Sequence, residues 1–341
     1  MLVAAAVVGG TGLGLALSDG GHSDPAAADH HLVAVAAVSP GAHFLFRTTV
    51  LDHHYGLLEI APAAAPNSVR AATSLHCARV AYAAGRGVCL TRQASGASSA
   101  EAIVFDDRFA PAGSVPLDGY PNRVQLSADG RYAGITDFVA GDAYDEAAFS
   151  TRTEIVDLRT DTKLFDLEQL HVTRNGVAFS ATDFNFWGVT FARDDRHFYA
   201  TLASGGATYL IEGDMATMQA RVLRANVECP SLSPDGTRIA FKKRVPGATI
   251  RWRLSVLDVA TLQDHPLAET RNVDDQAYWL NDSTVAYGLA GGAQATAAGG
   301  LSELTAGGSV PTDMWEVPAD GSGAPRLLIG GAWSAVLVPG S

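Results

Sequence analysis

Short runs of alternating apolar and polar residues, separated by Gly, Pro, Asp and Asn, fill this chain from about residue 42 onward. Such alternation gives a strand one face for a core and one for solvent. The clearest case is Ser231-Leu232-Ser233-Pro234-Asp235-Gly236-Thr237-Arg238-Ile239-Ala240-Phe241, which reads as strand, tight turn, strand. Pro fixes φ, Asp bonds nearby backbone, and Gly accepts positive φ. The pattern returns at residues 126–133, 191–198 and 279–286, and in a shorter form at 81–88. The turn residues Asp194 and Asp235 lie 41 residues apart, and Asp235 and Asp282 lie 47 apart. A second pair of apolar runs follows each hairpin, as at 153–158 with 162–167, 254–258 with 262–267, and 313–317 with 325–329. The unit is therefore four strands, a to d, at a period of roughly 40–50 residues, which is the signature of a propeller blade.

Five whole units fit the chain: 75–117, 122–167, 187–223, 228–267 and 275–329. The runs at 44–50, 55–60 and 69–72 supply strands b, c and d without an a, and 332–338 supplies an a without a b. Joined, they complete a sixth blade. The pattern thus predicts an all-β, six-bladed propeller of four-stranded antiparallel blades. The C-terminal strand closes the ring on the N-terminal blade and removes free sheet edges. The propeller is expected over residues 41–341, with no amphipathic helix in its body.

Two stretches, residues 232–241 and Asp313-Met314-Trp315-Glu316-Val317-Pro318-Ala319-Asp320-Gly321, resemble the repeats of the TolB-like family of six-bladed propellers, a WD-repeat-like arrangement. The resemblance covers about residues 42–338. It implies an extracytoplasmic propeller that works through protein contacts. The same repeats build the propeller domain of prolyl-oligopeptidase-type peptidases, whose α/β-hydrolase domain has no room in this sequence. Departures from the pattern are Asp195 where the turn takes Gly, the Asn281-Asp282 turn, and the missing turn Asp before Gly85.

Charge and the N-terminus narrow the setting. The formal net charge is −12, which disfavours nucleic acid or an anionic membrane surface as partner. Residues 1–17 are almost wholly apolar or small, short for a membrane span but suited to a signal peptide or short anchor, although no Lys or Arg precedes Arg47. Residues 18–40 read as a linker, and the apolar stretch 33–38 is left without a place. Any membrane contact is expected only through the N-terminal segment, and the propeller is expected to be a monomer. Cys77 and Cys89 fall on the a and b strands of one hairpin and are candidates for a disulfide in an oxidising compartment; the alternative is that they are small buried hydrophobes.

Catalytic signatures are missing: the sequence has no G-x-S-x-G elbow, no P-loop, no H-E-x-x-H and no EF-hand loop. In a four-stranded blade the b–c and d–a connections share one face. Those connections carry His53 and His54; Asp142, Tyr144 and Asp145; Asp183 and Asn185; Glu228; and Asp274 with Asp275. Phe184, Phe186 and Trp187 add aromatic anchors. Three readings of this acidic channel mouth stand open: a solvated rim, a binding face for a protein or peptide partner in the cell envelope, or a site for a divalent cation. No other cofactor is expected. His53 and His54 can act together only if they lie in a loop, because neighbours on a strand point to opposite faces. The leading expectation is a non-catalytic binding module. The alternative is a metal-dependent hydrolase or lactonase-like propeller enzyme.

Overall fold

A computed structural model describes residues 31–92, 100–141, 149–247, 249–291 and 311–340. The expected signal peptide or anchor at 1–17 lies outside the described residues.

Six antiparallel sheets form the six blades. Blade I takes Ala332–Val338 as strand a, then His43–Thr48, Leu57–Pro62 and Val69–His76. Blade II runs through Arg79–Ala83, Arg86–Arg92, Ala100–Asp106 and Pro111–Leu117. Blade III is Tyr120–Leu126, Tyr132–Ala140, Ser150–Asp157 and Thr162–Asp166. Blade IV is Asn185–Phe191, His197–Ser204, Ala207–Asp214 and Gln219–Ala225. Blade V is Glu228–Leu232, Arg238–Arg244, Trp252–Asp258 and Asp264–Pro266, and blade VI is Tyr278–Asn281, Thr284–Ala290, Thr312–Pro318 and Arg326–Ile329. The six a strands neighbour one another in a closed circle. The ring is shut where Ala332–Val338 pairs with His43–Thr48, His43 opposite Val338.

The Ser-x-Asp-Gly turns of blades III and V use the same chemistry. Ser233 Oγ donates to Asp235 Oδ1 and accepts from the Arg238 amide, while Asp235 Oδ1 also accepts from the Thr237 amide. Ser127, Asp129, Arg131 and Tyr132 repeat those three bonds in blade III. Gly236 and Gly130 take the left-handed φ the turn needs, and Asp195 takes it in blade IV at φ 52°, so the substituted turn keeps its shape.

Two additions escape the four-strand count. His171–Arg174, followed by Val177–Ala178, pairs parallel to Gln219–Ala225 and widens blade IV to six strands. His31–Leu32 pairs parallel to Val69–Arg70 at the edge of blade I. Part of the segment expected as linker therefore docks on the propeller: Val33 and Val35 pack on the blade I and II core, and Val38 is buried in it. A parallel partner is joined by no hairpin turn, so no turn signal announces the pairing to the blade, although Asn175-Gly176 at positive φ marks the hairpin between His171–Arg174 and Val177–Ala178.

The core lies between blades, in clusters such as Ile155, Leu167, Phe186, Val189, Phe198 and Ile211 between blades III and IV. Burying each large side chain contributes about 1.5–3 kcal/mol. Cys77 and Cys89 are joined in a disulfide with Cα atoms 5.2 Å apart, within the usual span. Cys77 sits just before the a strand Arg79–Ala83 rather than on it.

Candidate functional site

The b–c and d–a connections meet on the face around the channel mouth. There the connection from blade V to blade VI carries Asp274-Asp275-Gln276, and these three residues bind outward to the rest of the ring. Asp275 accepts from Arg79 Nη1 of blade II at 2.9 Å and from the Gly288 amide of blade VI at 3.0 Å. That Arg79 guanidinium lies over the Trp333 ring of blade I, 4.4 Å from its centroid. Asp274 accepts from Lys242 Nζ of blade V and stands 3.9 Å from Arg123 Nη2 of blade III. Gln276 Nε2 donates to Val189 O of blade IV at 3.1 Å and to Pro230 O of blade V at 2.9 Å. One tripeptide thus reaches five blades directly and the sixth, blade I, through Arg79.

Both carboxylates are buried, as are Arg79, Arg123 and Lys242. Burial works against the charge of Lys242, yet the Asp274 carboxylate beside it prevails and holds its pKa above the ordinary lysine value. The Lys242 ammonium also lies 4.2 Å from the centre of the Trp252 ring. Glu228, fully buried, accepts from Arg244 Nε and from Trp252 Nε1, the latter at 3.1 Å. The three buried carboxylates therefore sit among four cations, Arg79, Arg123, Lys242 and Arg244.

The other candidates sit nearer the surface. Asp183 is exposed. It accepts from Ser204 Oγ and the Gly205 amide, both at 2.7 Å, and thereby ties down the b–c turn of blade IV. The Gly205 amide and then the Ser204 hydroxyl hold its pKa below the usual carboxylate range. Asn185 accepts from the Thr151 amide at 2.9 Å and donates to Phe149 O at 3.3 Å, a link between blades III and IV. Asp142, Tyr144 and Asp145 lie outside the described residues. Phe186 and Trp187 are buried, and Phe184 packs against Phe179 and Phe186, so these three belong to the core rather than to an exposed anchor.

His53 and His54 do lie in a loop, the b–c connection of blade I. Their rings face each other at 3.9 Å between centroids, with Asp52 alongside.

Below the mouth, the channel holds a cavity of about 120 Å³ lined by Arg79, Tyr82, Arg123, Gln125, Tyr278 and Ser334, among others. That is room for a few waters, far short of the ~300–1,000 Å³ of a drug-sized ligand site.

Three apolar side chains stand out on this face: Leu51 (58% exposed), Val139 (45%) and Val245 (40%), on or beside b–c connections of blades I, III and V. The remaining exposed large hydrophobics among the described residues, Leu32, Leu164, Val177 and Leu327, lie on outer strands. None lies on the turns of the opposite face.

Sequence reasoning missed Asp137, on strand b of blade III. It is buried, and its Oδ1 has no hydrogen-bond partner. Burial, and then the charge of Glu154, push its pKa from 3.8 to about 7. An Asp that breaks an otherwise apolar strand run is the only mark it leaves in the sequence.

No protein-family model matches the chain, and no curated protein does. Among solved structures, TolB from Acinetobacter baumannii is similar at 16% identity and TM-score 0.60, over 87% of this chain and 66% of that one, just under two-thirds of its length. A putative TolB from Agrobacterium tumefaciens is similar at 10% identity and TM-score 0.50, over 87% of this chain and 98% of that one. The chain has the TolB-like six-bladed propeller fold.

Proposed function

We propose that this chain is an extracytoplasmic, non-catalytic propeller that binds a protein or peptide partner in the cell envelope through the face around its channel mouth. The observation that carries this reading is the placement of Leu51, Val139 and Val245 on that face, with no counterpart on the opposite turns among the described residues. Apolar side chains held out on a rigid frame are what an interface core needs. The Cys77–Cys89 disulfide supports an oxidising compartment, the setting that the resemblance to TolB-like repeats implies.

The acidic part of the reading takes a narrower form. Asp274, Asp275 and Glu228 are engaged inside the ring. Among the described candidates, negative charge offered to a partner therefore falls to Asp52 and Asp183, both exposed.

The test is crosslinking in intact cells followed by recovery of the tagged chain. A Leu51→Asp, Val139→Asp, Val245→Asp variant should lose its crosslinked partner while its melting curve holds. Leu164→Asp and Leu327→Asp, on outer strands, should keep it. A partner retained by the triple variant sinks the proposal.

A further inference from the structure

The structure assigns to Asp52, His53 and His54 a binding site for a borderline divalent transition ion such as Zn²⁺, Ni²⁺ or Cu²⁺. One ligand atom from each of the three lies within 4.8 Å of the others. On a strand, His53 and His54 would point to opposite faces. Here they lie in a turn, and both rings come to one side.

The turn is built before any ion arrives. Asp52 Oδ1 accepts from the His54 amide at 2.7 Å, Tyr55 N donates to Asp52 O at 3.2 Å, and Leu57 N donates to His54 O at 2.8 Å. Gly56, at φ 89°, closes it by donating to Thr48 O. The Tyr55 ring lies under the Arg47 guanidinium at 4.6 Å. At the root of the turn, Thr49 exchanges hydrogen bonds with Thr312 of blade VI, donating to its carbonyl and accepting from its amide.

Two features separate this cluster from the acidic groups of the mouth. Asp52 and His53 are exposed and His54 is half-buried, so an ion can reach all three. Among the described residues, only the His54 ring stands within ion-pair distance of Asp52, at 3.8 Å. Two imidazole nitrogens and one carboxylate oxygen form a donor set for Zn²⁺, Ni²⁺ or Cu²⁺. Ca²⁺ and Mg²⁺ take mostly oxygen ligands, and more of them. Three protein ligands leave the remaining positions to water on the solvent side.

The inference is independent of the partner reading, since the ion needs no partner to bind. The full chain, stripped with chelator and dialysed, would be titrated calorimetrically with Zn²⁺, with Ni²⁺ and with Ca²⁺. One Zn²⁺ or Ni²⁺ per chain is expected, with no comparable Ca²⁺ binding. His53→Ala and His54→Ala should each weaken it on the order of 10–100-fold or more, and the melting curve without metal should stay in place. With Cu²⁺, the spectrum should show nitrogen ligation that the paired His variant loses. Unchanged binding in that paired variant would place the ion elsewhere and overturn the assignment, as would Ca²⁺ binding as well as Zn²⁺.

Discussion

Asp274-Asp275 and Asp52 sit on connections of the same face of the same ring, yet one pair is structural and the other residue is open. The two mouth carboxylates are buried and answered by Arg79, Arg123 and Lys242 from three blades. Asp52 is exposed and bonds only within its own turn. The difference follows from position. The blade V to blade VI connection crosses toward the channel, where a carboxylate loses water and must find cations. The blade I turn stands out from the rim, where water serves. An acidic residue on a loop is thus no measure of surface charge in a propeller. What counts is whether the loop runs inward.

Breaking the inward set should have the largest effect. Asp274→Ala leaves Lys242, fully buried, without its carboxylate, and should cost about 3–5 kcal/mol in denaturant unfolding. The Asp274→Leu, Lys242→Met double variant should recover part of that loss, because it removes both charges of that pair and leaves the buried Arg123 in place. If the single and double variants are equally unstable, the ion pair is not what holds the mouth.

Asp137 sharpens the contrast from another side, as a buried carboxyl with no cation on its Oδ1. Its folded pKa of about 7 lies above the ordinary 3.8, so the folded chain holds a proton that the unfolded chain gives up. Its contribution is full below about pH 4 and is lost as pH rises through 7. Asp137→Asn should therefore be more stable than the parent at pH 8, by up to about 4 kcal/mol, with the gap closing toward pH 4. Urea melts at pH 4, 6 and 8 measure it, and a gap that does not change with pH would refute the assignment.

Gln276→Leu should cost less, about 1–3 kcal/mol, since it removes the donor to the Val189 and Pro230 carbonyls and no charge. A loss as large as that of Asp274→Ala would mean that the amide, and not the ion pairs, is the main tie across the channel.

The fold was legible because its signal is local and repeated. Ser-x-Asp-Gly turns in blades III and V, their variants in the other blades and the alternation around them announce the hairpins, and the unmatched strands at the two ends announce the closure. The parallel additions, His171–Arg174 and His31–Leu32, were hidden because their partners are distant and no turn connects them. The candidate site was half legible. Sorting connections by face brought Asp274, Asp275, Glu228 and His53 with His54 to one side. Sequence could not show that the first three meet Arg79, Arg123, Lys242 and Arg244, because those cations come from strands up to 196 positions away, as Arg79 does from Asp275. Nor could it show that Phe186 and Trp187 turn into the core, since aromatic residues at a strand start suit either side.

The smallest effect belongs to the outward turn, and it tests the comparison most directly. His53→Ala makes no change in a buried contact, and Asp52→Asn keeps an oxygen for the His54 amide. Each should change stability by no more than about 0.5 kcal/mol in metal-free buffer. With saturating Zn²⁺ the parent should melt higher, because an ion bound only to the folded chain stabilises it by mass action. His53→Ala should show little of that rise, and Asp274→Ala, despite its large loss of stability, should show it in full. A Zn²⁺ response that follows Asp274 rather than His53 would reverse the roles of the two regions, making the mouth the open site and the turn a passive surface.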